Sequence, residues 1–134
     1  MKKLILSLSL VLAALLPGMA QTASSAQASD PFAGKVKFNQ ETIDFGTTKL
    51  NHPVSVTFVF KNVGNTPLII ENVRPSCGCT TPSYTQEPVL PGKEGKIVAT
   101  YNAAVLGEAS KTVSVKFKGI DQELDLHFTG KVVQ

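Results

Sequence analysis

The 134-residue chain carries a formal net charge of +3 at pH 7, and its length allows one domain. Lys2 and Lys3 supply two of those charges and lie in a segment that we expect to be removed, which leaves +1. A domain this close to neutral, with scattered lysines, offers no electrostatic reason to bind nucleic acid or an anionic membrane. We therefore expect neither as a partner.

The N-terminus has the three parts of a secretory signal. A positively charged start is followed by an apolar run, Leu4 to Leu16, and then by small residues at the −3 and −1 positions before Gln21. A membrane anchor would need roughly 20 apolar residues, so the run is short for that role. We predict that residues 1–20 are a cleaved signal peptide and that the product is periplasmic or secreted, with no membrane attachment after cleavage. No cysteine follows the run to accept a lipid.

The segment after the signal is rich in Ala, Ser, Gln and Thr and has no apolar periodicity. We predict that residues 21–34 form a flexible leader. Polar and apolar residues begin to alternate at Lys35, so we place the folded domain at residues 35–134.

Beyond the signal, alternation with a period of two predicts β-strands, and no segment has the apolar spacing of an amphipathic helix. The clearest strand is Val54–Lys61. About seven strands at turn-punctuated intervals predict an all-β fold, an immunoglobulin-like antiparallel β-sandwich. The residues expected to face its core are Val54, Val56, Phe58, Phe60, Val113, Val115, Phe117, Leu124, Leu126 and Phe128.

Both cysteines, Cys77 and Cys79, lie in one proline-flanked stretch and are separated by Gly78. Cysteines of exported proteins usually pair. In an extended strand their Cα atoms would lie about 6.6 Å apart, near the upper limit of about 6.8 Å for a disulfide. Gly78 can adopt torsions that bring them closer. A bridge here would close a tiny loop, stabilise the fold little, and be easily reduced.

Other roles of the pair stay open. Arg74 is close enough in sequence to lower the pKa of a thiol. Two thiolates at i and i+2 can hold a soft ion such as copper(I) or zinc. A closed zinc site needs two more ligands, for which His52, His127 and the carboxylates are the few candidates. The same histidines are the only bases that a cysteine nucleophile could use, and no local motif supports that reading. A packing role, with the cysteines as small hydrophobes, is the plainest alternative.

Several strings of residues resemble the bacterial domain-of-unknown-function family 1573, whose members are mostly exported. The resemblance covers about Lys35 to Val133, and its most specific part is Ser76-Cys77-Gly78-Cys79-Thr80. It rests on Phe60–Ile70, Val73, Ser76–Thr80, Pro91, Gly92, Gly95, Ile97 and Tyr101. The Asn-x-Gly-x-x-Pro-Leu turn within Phe60–Ile70 is also similar to the wider group of sandwiches related to major sperm protein, the pilus chaperones and ASH domains.

The resemblance implies a sandwich used for binding or scaffolding, with Cys77 and Cys79 as a hallmark pair of unassigned role. We therefore expect an exported, non-catalytic module without a cofactor that binds a protein or extended peptide through sheet edges or loops. The alternative is a thiol-redox or copper- or zinc-binding protein that acts through Cys77 and Cys79, supported by Arg74, Ser76, Gly78 and Thr80.

Overall fold

The structure, a computed structural model, describes residues 29–134. The predicted signal peptide and residues 21–28 of the predicted leader lie outside the described residues. No helix long and apolar enough to cross a membrane occurs in the described part of the chain. Its eight strands are β1 (Val36–Phe38), β2 (Thr42–Lys49), β3 (Val54–Asn62), β4 (Ile70–Pro75), β5 (Thr80–Tyr84), β6 (Glu94–Tyr101), β7 (Gly107–Phe117) and β8 (Glu123–Val133).

The strands form two four-stranded sheets packed as a sandwich, so the predicted fold class is confirmed. The first sheet has the order β1-β3-β6-β5 and the second has the order β2-β8-β7-β4. Consecutive strands β4 and β5 therefore lie at the edges of different sheets. The connection between them must cross from one layer of the sandwich to the other.

One pair of strands departs from the predicted antiparallel arrangement. The second strand, β2, runs parallel to the last strand, β8, whereas every other pair of described strands is antiparallel. Because no hairpin joins β2 to β8, chain connectivity does not force the two strands into opposite directions.

The core lies between the sheets and is built from the residues predicted to face it. Eight of the ten are buried, while Val54 and Leu124 are half-buried and pack against the buried cluster. Phe60 of β3 meets Phe117 of β7 edge-to-face, with ring centroids 5.4 Å apart, and so joins the two layers. Removal of these large apolar side chains from water is the main source of the fold's stability.

The strand β5 was not predicted, because it shows no alternation and contains Pro82. It pairs with β6 from Thr80 opposite Tyr101 to Tyr84 opposite Ile97. Proline is tolerated in a strand at the edge of a sheet, where one side of the backbone needs no partner. The edge position of β5 therefore explains how this segment can form the eighth strand, although its residue pattern does not indicate one.

Residues 30–34, which the sequence assigned to the leader, form a turn in the structure. The Ala33 amide donates to the Asp30 carbonyl over 3.1 Å. Phe32 is buried beside Phe117, with ring centroids 6.5 Å apart. The ordered domain thus begins before Lys35. The sequence did not indicate this, because Phe32 lacks the alternating neighbours that indicate a strand.

Candidate functional site

Residues Ser76–Cys79, here called the cysteine turn, connect β4 to β5. The turn thus carries the chain from the edge of the second sheet to the edge of the first. It holds both cysteines of the chain at the one place where these two edges are joined directly.

Cys77 and Cys79 form a disulfide, and their Cα atoms lie 5.3 Å apart. Both are half-buried, and Cys79 packs against the hydrophobic core. The turn brings the two Cα atoms together without a conformation restricted to glycine, because Gly78 does not have a positive φ. A Cβ added to Gly78 would meet nothing within 4 Å. The role predicted for Gly78 therefore needs correction, because the backbone here admits other residues.

Hydrogen bonds hold the cysteine turn on both sides of the bridge. The Ser76 amide donates to the Thr112 carbonyl over 2.8 Å, and the Thr112 amide donates back to Ser76 Oγ over 3.2 Å. On the other side, the Asn102 amide donates to the Cys79 carbonyl over 3.0 Å. These bonds tie the turn to β7 in one sheet and to the residue after β6 in the other, independently of the sulfur atoms.

Thr80, the first residue of β5, is only 3% exposed. Its amide donates to the Cys77 carbonyl over 3.3 Å and closes the turn. Its hydroxyl oxygen lies 4.0 Å from Cys79 Sγ, at the outer limit for a hydrogen bond to sulfur. A buried hydroxyl needs a partner, so the sulfur atom and the Thr80 hydroxyl share one small polar environment.

Arg74 does not act on a thiol in this structure. Its guanidinium donates to the carboxylate of Glu123 on β8. That hydrogen bond, together with the charge of Glu123, raises the pKa of the exposed Arg74 side chain. The described chain contains no free cysteine, so the thiol whose pKa Arg74 was predicted to lower is absent while the bridge is intact.

The structure does not bring either histidine into contact with the cysteine pair. His127 is exposed on β8, and its Nδ1 lies 3.0 Å from Thr112 Oγ1. His52 is exposed in the β2–β3 turn, where its carbonyl accepts a hydrogen bond from Thr48 Oγ1. Among residues 29–134 no three His, Cys, Asp or Glu side chains gather in a group that could hold a metal ion. Copper or zinc at the cysteine pair stays a prediction, and it concerns the reduced pair, because metals bind thiolates.

Asn62, at the end of β3, is a buried polar residue that sequence reasoning passed over as part of a turn. It is fully buried. Its Nδ2 donates to the carbonyls of Thr66 (2.7 Å) and Val89 (2.8 Å), and its Oδ1 accepts from the amide of Gly64 (2.9 Å). Asn62 therefore organises the Asn-x-Gly-x-x-Pro-Leu turn and ties it to the strand connection before β6. Its place in the sequence could have indicated burial, since Asn62 continues the inward-facing series of Phe58 and Phe60.

The β6–β7 loop, Asn102–Leu106, lies beside the cysteine turn and exposes two adjacent apolar side chains. Val105 is 70% exposed and Leu106 is 46% exposed. Besides the bond from Asn102 to Cys79, the loop accepts a hydrogen bond at the Ala103 carbonyl from Asn51 of the β2–β3 turn (2.9 Å). The cysteine turn, the β2–β3 turn and the β6–β7 loop together form one end of the sandwich, here called the cysteine end.

These features define a class of protein: an all-β sandwich of the immunoglobulin-like type, with a disulfide in the connection between its sheets. More particularly, the chain belongs to the family described as protein of unknown function (DUF1573), whose model matches residues 36–132. The predicted family is thereby confirmed. No curated protein matches the sequence.

Solved structures with the same fold have diverged far in sequence. The ASH/PapD-like domain 7 of human CEP192 has a TM-score of 0.66 at 14% identity, over 88% of this chain and 99% of that domain. A protein of unknown function from Porphyromonas gingivalis W83 has a TM-score of 0.63 at 13% identity, over 73% of this chain and 46% of that one. The YadV chaperone has a TM-score of 0.50 at 13% identity, over 75% of this chain and 53% of that one. Likenesses at this identity establish the fold alone.

Proposed function

We propose that the protein is an exported, non-catalytic module that binds a protein or extended peptide through the cysteine end. The observation that carries this proposal is the adjacent, exposed pair Val105 and Leu106. Exposed apolar side chains that lie together favour contact with a partner, whereas single ones are common on any surface.

The β6–β7 loop presents these two side chains from a fixed backbone. Ala103 is fully buried and has a φ of 52°, a conformation that non-glycine residues adopt only when the surroundings hold them in it. The Ala104 amide also donates to Asn102 Oδ1 over 3.2 Å. A loop held in this way loses little conformational entropy on binding, which favours affinity.

The sheet edges are less suited to a partner strand. Just before β5 the Cys79 carbonyl accepts from the Asn102 amide, and just after it the Thr85 amide donates to the Lys96 carbonyl, so the alternate residue Pro82 faces the free edge and offers no amide. Strand β1 has only three residues, and the other two edge strands, β2 and β4, each carry a register shift. Short, bulged and proline-containing edges resist strand addition, which favours the loops as the binding surface.

The surface can be tested with paired double substitutions at the two ends of the sandwich. We expect Val105→Ser with Leu106→Ser to abolish capture of partners in cross-linking of the exported protein. The matched control is Val63→Ser with Leu90→Ser, which removes two other exposed apolar side chains and should leave the captured partners unchanged. Equal capture by both double variants, or loss only in the control, would contradict the proposal.

A further inference from the structure

We propose that Cys77 and Cys79 form a reversible dithiol–disulfide couple that exchanges with a dithiol protein, with Cys77 as the sulfur that is attacked. This inference goes beyond binding and does not depend on the binding surface proposed above. It rests on the position of the bridge in the fold, the hydrogen bonds around it and the unequal surroundings of the two sulfur atoms.

The position of the bridge argues against a stapling role. The two cysteines are two residues apart, so the bridge removes few conformations from the unfolded chain. The two sheets are already joined by core contacts such as that of Phe60 with Phe117. A disulfide that contributes little to the fold can open without unfolding the protein.

The hydrogen bonds around the cysteine turn make opening reversible. Ser76 is bonded to Thr112 on β7, and the Cys79 carbonyl is bonded to Asn102, through atoms other than sulfur, so we expect these bonds to persist when the bridge opens. After reduction the two thiols therefore remain neighbours at a high effective concentration, because their backbone positions are fixed. Re-formation of the bridge is then an intramolecular step.

The two sulfur atoms differ in their surroundings. Cys79 packs against the core, which hinders an attacking thiolate there, and its Sγ lies 4.0 Å from the hydroxyl oxygen of buried Thr80. Apolar packing alone raises the pKa of a thiol, but when Cys79 leaves as a thiolate the Thr80 hydroxyl can donate to it, and a hydrogen bond to the charged form lowers that pKa. A leaving thiol of lower pKa departs faster. Attack on Cys77 is therefore favoured, and Thr80 acts as a positioning residue.

The exchange takes place in two steps. A thiolate of the partner attacks Cys77 Sγ, the bond between the partner sulfur and Cys77 forms, and the bond between Cys77 and Cys79 breaks with its electron pair on Cys79 Sγ. The second thiolate of the partner attacks the partner sulfur of this mixed disulfide and releases Cys77. The partner dithiol is oxidised by two electrons to a disulfide, and Cys77 and Cys79 take up two protons as thiols. The reverse sequence oxidises the pair.

Reduction of the native protein tests the couple directly, with dithiothreitol as the dithiol. We expect mass spectrometry to show two alkylated thiols when the reduced protein is quenched, and none when oxidised dithiothreitol is added before the quench, while the far-ultraviolet dichroism stays that of the folded sandwich. Reduction only in denaturant, loss of the fold on reduction, or a reduced pair that retains a metal ion and does not exchange would each overturn the proposal.

A brief reaction of the native disulfide with reduced glutathione, quenched by alkylation, tests which sulfur is attacked. We expect tandem mass spectrometry to find glutathione on Cys77 and the alkyl group on Cys79 in most of the mixed disulfide. Glutathione mainly on Cys79 would overturn the assignment.

Thr80 variants test the positioning role. Thr80→Val should slow reduction by dithiothreitol about tenfold, as loss of a hydrogen bond to a charged group implies, and Thr80→Ser should restore the rate. Equal rates in all three proteins, with dichroism unchanged, would remove Thr80 from the mechanism.

Discussion

Replacement of Asn62 by alanine is expected to lower the free energy of unfolding by about 3 kcal/mol or more. The substitution removes three hydrogen bonds of a fully buried side chain, although the Val89 carbonyl keeps its bond from the Leu68 amide and the Gly64 amide keeps its bond to the Lys35 carbonyl. Each hydrogen bond of this kind contributes about 1 kcal/mol net. Urea unfolding of the variant and the wild type measures the difference, and for a domain of this size we expect the melting temperature to fall by about 12 °C or more.

The matched control for this prediction is Asn65→Ala. Asn65 lies in the same turn but is exposed, so its replacement should change the unfolding free energy by less than about 0.5 kcal/mol. Asn62→Asp keeps the shape of the side chain but cannot donate, and it should resemble Asn62→Ala. Equal small effects of Asn62→Ala and Asn65→Ala would show that the buried hydrogen bonds do not hold the turn.

Replacement of Gly95 by alanine is expected to destabilise the fold by about 2 kcal/mol, within the range for overpacking of a core. Gly95 of β6 lies opposite Phe60. A Cβ there would stand 2.7 Å from Phe60 Cε1 and 2.9 Å from Val89 Cγ2. The Phe60 ring cannot move aside, because it is fully buried against Phe38 and Phe117. Thermal unfolding followed by dichroism measures the loss.

Gly78→Ala is the control for Gly95→Ala. A Cβ at Gly78 meets nothing within 4 Å, and the residue lies outside the positive-φ region. We therefore expect an unchanged or slightly raised melting temperature, since alanine restricts the unfolded chain more than glycine does. A larger loss from Gly78→Ala than from Gly95→Ala would contradict the structural account of both glycines.

The core could be predicted from the sequence because burial in a two-layer sandwich imposes a period of two. Val113, Val115 and Phe117 alternate with polar residues and are buried as expected. The same rule fails for β5, since Pro82 and its neighbours occupy an edge. It also gives no guide at Gly130, since glycine usually weakens the interior of a strand. Strand β8 continues through Gly130, because a Cβ there would stand only 2.5 Å from Cδ2 of Phe45 and glycine makes room for that ring.

The cysteine pair could be located from the sequence, but its surroundings could not. Thr112 and Asn102, which anchor the turn, lie 36 residues after Ser76 and 23 residues after Cys79. Contacts over such separations depend on strand order and register, which local patterns do not encode. The apolar residues Val105 and Leu106 likewise show no alternating pattern, and only the fold places them beside the cysteine turn.

The two proposals concern one end of the molecule and are coupled through one hydrogen bond. The Asn102 amide, which opens the β6–β7 loop, donates to the Cys79 carbonyl. The bridge therefore lies one backbone hydrogen bond away from the loop that carries Val105 and Leu106. A partner bound at this loop would lie beside the cysteine turn.

The central claim is that apolar packing between the sheets holds this domain together and that the sulfur pair is an accessory. Urea unfolding of the Cys77→Ser, Cys79→Ser double variant tests it most directly. The account predicts a folded β-sandwich that loses about 2 kcal/mol or less, in line with the small entropic effect of a three-residue loop. A variant that fails to fold, or that loses about 4 kcal/mol or more, would contradict it.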